Sequence, residues 1–242
     1  MRNNIINYTK NFYNKSFRRA THVIFDMDGL ILDTECIYTK VISDIAQKFG
    51  KQYTKNVRIK LLGTVEADSS KIAVQEMQLP ITWEEFREEF SLKSSIQLRK
   101  CPLMPGAEKL IRHLKANKVP IAIATSSTQE SMEYKTEHLK SFFDLFDHKV
   151  CGGSDPEVRQ GKPAPDIFLV CAKRFPDKPH PEKCLVLEDA PNGARGAIDA
   201  GMQCVIVPDQ DVPHDLCNHA TQIIPSLKYI RPEHFGLPPF TS

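Results

Sequence analysis

The chain has 242 residues, 41% hydrophobic and 26% charged, enough apolar side chain for one large core with a modest insertion. A formal net charge of +2 provides no basic field for nucleic acid or an acidic lipid surface, so neither partner is expected. The longest apolar stretches, such as Val119 to Ala124, are far too short to span a bilayer, which excludes a membrane helix.

Residues 1–20 carry Arg2, Lys10, Lys15, Arg18 and Arg19, and no acid precedes Asp26. Their apolar residues are few and irregularly spaced, so a disordered leader is expected, with a mitochondrial presequence as the second reading. Seven cysteines (Cys36, Cys101, Cys151, Cys171, Cys184, Cys204, Cys217) are scattered, with no C-x-x-C pair. That pattern argues against a disulfide framework or a zinc site and for buried free thiols in a reducing compartment, the cytoplasm.

His22 to Phe25 reads as a buried strand that runs into Asp26, Met27, Asp28 and Gly29. Side chains on extended chain alternate, so Asp26 and Asp28 leave on one side while Phe25 and Met27 point to the other. Two carboxylates this close resist joint ionisation unless a cation offsets them. Asp33-Thr34-Glu35 then opens a helix in which Ile37, Val41, Ile45 and Phe49 recur at helical spacing until Gly50. Val65 to Met77 and Thr82 to Leu98 also read as helices, the latter capped by Thr82 with Glu84 and Glu85 in its first turn. No strand is expected between 37 and 100, so this block reads as an all-helical insertion.

Pro102 to Gly106 returns the chain to the core. Helices are expected over Ala107 to Leu114, Thr128 to Leu139, Ala164 to Phe175 and Asn192 to Ala200. Strands are expected over Val119 to Ala124, His148 to Cys151, Cys184 to Leu187, Gln203 to Val207 and, briefly, Ile223-Ile224. The tail from Pro232 to Ser242, with Phe235 and Phe240, is expected to lie on the surface without regular structure. Unbroken apolar strands alternating with helices specify an α/β fold: a parallel sheet with helices on both faces, whose ligands bind beyond the carboxyl ends of the strands.

Three later strand ends carry chemistry compatible with the acid pair. Thr125-Ser126-Ser127 offers hydroxyls and free amides at a helix entrance, suited to phosphate oxygens, although such clusters also merely cap helices. In Gly161-Lys162-Pro163 the residue before proline is held extended, so Lys162 stands on a stiff base. Leu187-Glu188-Asp189 ends another strand with two acids. A parallel sheet can bring both acid pairs together, and hard oxygen donors so arranged suit magnesium.

Asp26-Met27-Asp28-Gly29, Thr125, Lys162-Pro163 and Glu188-Asp189, in this order, resemble the four motifs of the haloacid dehalogenase superfamily of phosphohydrolases. The resemblance implies a Rossmann-like core over 21–36 and 101–242 and an alpha-helical cap over 37–100. It also implies a phosphomonoesterase with Asp26 as nucleophile and Asp28 as general acid and base. Magnesium would be held by the side chains of Asp26 and Asp189 and the main-chain carbonyl of Asp28, with Glu188 acting through water. Thr125 and the Ser126 amide would bind the phosphoryl group, and Lys162 would neutralise it. Leu103 to Leu110, Asp155 to Val158, Cys171 to Phe175, Leu187 to Gly193 and Phe235 to Pro238 resemble the pseudouridine-5′-phosphatase branch of that superfamily. The partner implied is therefore a small phosphate ester, with pseudouridine 5′-phosphate first, and the chain is expected to act as a monomer.

A sugar- or polyol-phosphate phosphatase would use the same motifs, as would a beta-phosphoglucomutase-like isomerase. A binding protein that kept only the fold would have no reason to retain so costly an acid cluster. The Leu62-Gly63-Thr64 turn is expected to face the substrate, with Thr64 where relatives carry a basic residue. Lys135 and His138, on the helix after Thr125, are expected on a solvated face, with an approach to the substrate as the second reading.

Overall fold

The computed structural model describes residues 17–61 and 66–240, with only the backbone described for 66–68. Residues 1–16 of the leader expected over 1–20, and the Leu62-Gly63-Thr64 turn, therefore lie outside the described residues. Strand β1 (His22–Phe25) stands inside a six-stranded sheet. The other strands are β2 (Ile121–Thr125), β3 (His148–Cys151), β4 (Cys184–Glu188), β5 (Gln203–Ile206) and β6 (Gln222–Ile223). The spatial order is β3-β2-β1-β4-β5-β6, and every neighbouring pair is parallel. Val23, Phe25, Ile121, Ile123, Leu185 and Leu187 enter one apolar cluster, whereas Ile24, Ala122, Ala124, Val186 and Cys204 enter another. Strict alternation with both faces buried is why these strands read as continuous apolar runs.

The strand order reverses at β1. The chain builds outward through β2 and β3, then crosses back to lay β4 on the other side of β1, with Phe25 opposite Leu187. A reversal of this kind opens a crevice at the carboxyl ends of the two strands, and Asp26 and Glu188 occupy those ends.

The insertion that follows β1 holds the helices α1 (Thr34–Lys48), α2 (Lys55–Leu61), α3 (Glu66–Met77) and α4 (Trp83–Leu98). They close around an apolar cluster of their own that includes Val41, Ile45, Val57, Ala73, Met77 and Phe86. Asp33 caps α1 by accepting from the Cys36 amide, and Thr82 caps α4 in a reciprocal pair with Glu85. Helix α2 was not expected, because seven residues with only Val57 buried offer no period to read. It is tied to the core across the molecule: Arg58 donates to Asp209 Oδ2 at 2.7 Å and to Asp211 Oδ2 at 2.9 Å, and Lys55 also pairs with Asp211.

The remaining helices sandwich the sheet. On one side lie α5 (Ala107–Ala116), α6 (Gln129–Thr136) and the short α7 (Lys140–Phe143). On the other lie α8 (Asp166–Arg174) and α9 (Pro191–Asp199). The stretch expected as one helix from Thr128 to Leu139 is α6 followed by a 3-10 turn over Glu137–Leu139.

Further expectations need correction. The tail is not merely superficial: Phe235 is fully buried and packs against Phe17, with ring centroids 4.8 Å apart. That contact, with Ala20 donating to the Phe235 carbonyl, fixes residues 17–20 against the core rather than leaving them in a leader. Six of the seven free cysteines are buried as expected, but Cys36 is exposed, because it lies on the solvent side of the first turn of α1. No helix among the described residues is long and apolar enough to cross a membrane.

Candidate active site

The Asp26 amide donates to the Leu187 carbonyl at 2.9 Å, which continues the β1–β4 ladder by one residue and sets Asp26 beside the end of β4. Lys162 reaches into the same crevice. Its Nζ donates to Asp26 Oδ1 and Glu188 Oε1, each at 2.6 Å, and to the Ala124 carbonyl at 3.0 Å. The loop presenting Lys162 is pinned by Arg174, which grips Asp155 at 2.5 and 2.9 Å and Glu157 at 2.7 Å. Asp166 Oδ2 adds a second anchor by accepting from the amides of Arg159 and Gln160.

Glu188 is clamped from its other side, Oε2 accepting from the amides of Asp189 and Ala190 where α9 begins. Two glycines make room for these acids. A Cβ on Gly193 would fall 1.9 Å from Glu188 Oε1, and one on Gly29, whose φ is +78°, would fall 2.1 Å from Asp189 Oδ2.

Asp28 has different neighbours. Its Oδ2 accepts from Ser127 Oγ at 2.8 Å and Thr125 Oγ1 at 3.3 Å, and its Oδ1 accepts from Lys135 Nζ at 2.7 Å. Lys135 Nζ also donates to Ser127 Oγ at 2.9 Å and stands 5.8 Å from the centre of the Tyr38 ring. The expected solvated face for Lys135 is thus wrong. Only 2% of the residue is exposed, because α6 turns Met132, Lys135 and Thr136 inward together. His138 is exposed and donates to or accepts from no site residue; its Nε2 meets the Cys101 carbonyl at 2.9 Å.

These surroundings separate the two aspartates electrically. Burial pushes Asp26 up to about 7; Lys162 pulls against that, while Glu188 and Asp28 reinforce it. Burial and the Asp26 charge hold Asp189 well above the usual carboxylate range. Burial would raise Asp28 too, but Lys135 and the two hydroxyls outweigh it and hold Asp28 below the ordinary value. Burial disfavours the charge on both lysines, yet the facing carboxylates win and hold both above the ordinary lysine range. Four acids face two lysines here, so only full ionisation of the acids would leave an excess of negative charge. Ligand oxygens of Asp26, Glu188 and Asp189 all come within 4.8 Å of one another. Buried hard-oxygen donors that ionise reluctantly by themselves fit a hard divalent cation. The Asp28 side chain is not in that group, being turned to Lys135.

Above Asp28 and Lys135 opens a cavity of about 740 Å³ between the insertion and the core. Tyr38, Phe86, Phe90 and Tyr134 supply aromatic walls, and Ser91, Ser94, Ser126 and Ser131 supply hydroxyls.

The model of the haloacid dehalogenase-like hydrolase family matches residues 20–201. The chain belongs to that family. Within it, the chain is 48% identical to "Probable pseudouridine-5′-phosphatase" of Drosophila melanogaster, over 94% of this chain and 99% of that one. It is 44% identical to (DL)-glycerol-3-phosphatase 2 of Arabidopsis thaliana, over 91% and 92%. In fold it is similar to beta-phosphoglucomutase of Clostridium difficile, with a TM-score of 0.70, 23% identity, and coverage of 90% and 96%. This haloacid dehalogenase-like hydrolase brings Asp26, Asp28, Thr125, Lys162, Glu188 and Asp189 together, with Ser126 at the cavity wall. Sequence reasoning grouped Ser127 with a phosphate site rather than with Asp28, and it missed Tyr38 and the place of Lys135. The available signal was a lysine at an inward position of α6, three residues from Met132 and one before Thr136.

Proposed function

We propose that the chain is a magnesium-dependent phosphomonoesterase that works through an aspartyl-phosphate on Asp26. The observation that carries this reading is the opposite placement of two aspartates two residues apart. Asp26 lies in the acid cluster on Lys162, and Asp28 is held apart by Lys135, Ser127 and Thr125.

Asp26 oxygen attacks phosphorus, a P–O bond to Asp26 forms, and the ester P–O bond breaks. The leaving alkoxide takes its proton from Asp28, whose protonated form is favoured when a phosphate dianion enters beside it. Asp28, now a carboxylate held by Lys135, takes a proton from water, which attacks phosphorus and frees Asp26 and inorganic phosphate. Lys162 offsets charge on the transferring group, and Thr125 with the Ser126 amide positions its oxygens. Asp26, Asp189 and the Asp28 carbonyl, with Glu188 behind, would hold magnesium, which would supply charge neutralisation at the phosphoryl group.

Pseudouridine 5′-phosphate is the first substrate. The 48% identity to the Drosophila relative supports it, and so does a cavity with aromatic walls and hydroxyls, which suits a planar base on a ribose. A polyol phosphate is the second reading, supported by the 44% identity to the Arabidopsis glycerol-3-phosphatase. We place the protein in the cytoplasm as a monomer, a location that scattered, free cysteines suit.

The test is phosphate release with magnesium from pseudouridine 5′-phosphate, uridine 5′-phosphate and glycerol 3-phosphate. Pseudouridine 5′-phosphate should be hydrolysed fastest, without added bisphosphate; a bisphosphate requirement would identify an isomerase instead. Asp26→Asn should abolish release. Activity within about tenfold of the unmodified chain, under ~1.4 kcal/mol of barrier, would remove Asp26 as nucleophile.

A further inference from the structure

We infer that Lys135 is a positioning residue for proton transfer, fixing the Asp28 carboxylate in one orientation. The inference rests on the reading of Asp28 as the acid and base. Lys135 Nζ, Ser127 Oγ and the Asp28 carboxylate close a ring of contacts. Nζ meets Oδ1 at 2.7 Å, Nζ meets Oγ at 2.9 Å, and Oγ meets Oδ2 at 2.8 Å. With both oxygens engaged, the carboxylate cannot turn about its last bond without breaking a hydrogen bond inside a nearly closed site.

The fold alone has no need of this ammonium. Lys135 is 2% exposed on an inward face of α6 where Met132, one turn earlier, fills the same kind of position. A buried ion pair is often no more stabilising than apolar side chains of similar volume. A donor aimed at one carboxylate supplies orientation instead. The two lysines are also divided between the two aspartates: Lys162 pairs with Asp26 and Glu188, whereas Lys135 pairs with Asp28. Removing Lys135 therefore leaves the nucleophile's partners in place. The centre of the Tyr38 ring, from α1 of the insertion, stands 5.8 Å from the ammonium, so core and insertion both border the Asp28 clamp.

The experiment compares Lys135→Met, Lys135→Arg, Asp28→Asn and the Asp28→Asn/Lys135→Met pair in the full chain with magnesium. Two esters are used: pseudouridine 5′-phosphate, whose alkoxide must be protonated on leaving, and p-nitrophenyl phosphate, whose phenolate leaves without a proton. Lys135→Met should lower kcat on the alkyl ester by about 100-fold, the scale of a positioned general acid, with KM changed by less than about threefold. The burst of p-nitrophenolate should fall at least about tenfold less than that, and Lys135→Arg should recover part of the alkyl activity. In the Asp28→Asn background the second substitution should cost less than about twofold further.

Equal losses on both esters, or a loss that adds in full to Asp28→Asn, would overturn the inference by showing that Lys135 supports the fold. A loss confined to KM would overturn it in favour of direct substrate binding. Retained alkyl turnover in Asp28→Asn would instead overturn the reading of Asp28, which separates the two failures. Where Lys135→Met does not fold, Lys135→Gln carries the same comparison.

Discussion

Asp26 and Asp28 are the same residue type two positions apart after one strand end, yet their neighbours push them in opposite directions. This has a consequence for pH and metal. Asp26 has a folded-state pKa of about 7 against an ordinary 3.8, so the folded protein without metal binds this proton more tightly than the unfolded chain does. Its contribution to stability is therefore lost as pH rises from about 4 through about 7. A divalent cation needs the ionised carboxylate and displaces that proton. Magnesium should accordingly raise Tm much more at about pH 8 than at about pH 6, since ligand that binds only the folded state stabilises it in proportion to its affinity. Thermal melts with and without magnesium at the two pH values decide this, and an equal rise at both would contradict the assignment of Asp26 to the metal.

At the scale of elements, α9 determines how tightly the site closes. Gly196 lies so near the Lys162 loop that a Cβ there would stand 3.0 Å from the Pro163 and Ala164 carbonyls. Gly193 lies closer still to Glu188, with a Cβ falling 1.9 Å from its carboxylate. Gly193→Ala must drive Glu188 from its seat on the Asp189 and Ala190 amides and loosen Lys162 with it. The expected cost is about 1–3 kcal/mol in stability, as for other overpacking changes. Phosphate release should fall by more than about tenfold, or ~1.4 kcal/mol of barrier, while the circular dichroism spectrum is kept. Turnover equal to that of the unmodified chain would mean that the Glu188 seat is dispensable.

Across the whole molecule, the sheet carries the acids while the insertion roofs the cavity over them, and Arg58 joins the two through Asp209 and Asp211. These pairs are partly exposed, so their removal should cost no more than about 1 kcal/mol, or ~2–4 °C in Tm for a chain of this size. Their effect belongs to closure of the roof rather than to phosphorus chemistry. Arg58→Met should therefore raise KM severalfold with kcat little changed, read from initial rates over a range of substrate concentrations. A fall in kcat at constant KM would place Arg58 in the chemistry instead.

The sheet and the acid set were legible because they depend on local rules. Buried parallel strands must be apolar throughout, and the residues that follow them face the ligand crevice, so Asp26, Asp28, Thr125, Glu188 and Asp189 announced themselves by position. Helix α2 was illegible because one buried residue in seven leaves no period, and Phe235 because a lone aromatic in a proline-rich tail carries no sign of burial. Lys135 reads as a surface lysine on propensity and charge. Only the placement of α6 beside the turn after β1, which sets one inward position toward Asp28, makes it part of the site. By itself the sequence determined a parallel α/β core and the acids at its strand ends, because alternation and turn chemistry are local. The tertiary structure alone decided which lysine serves which acid, since that depends on which elements meet in space.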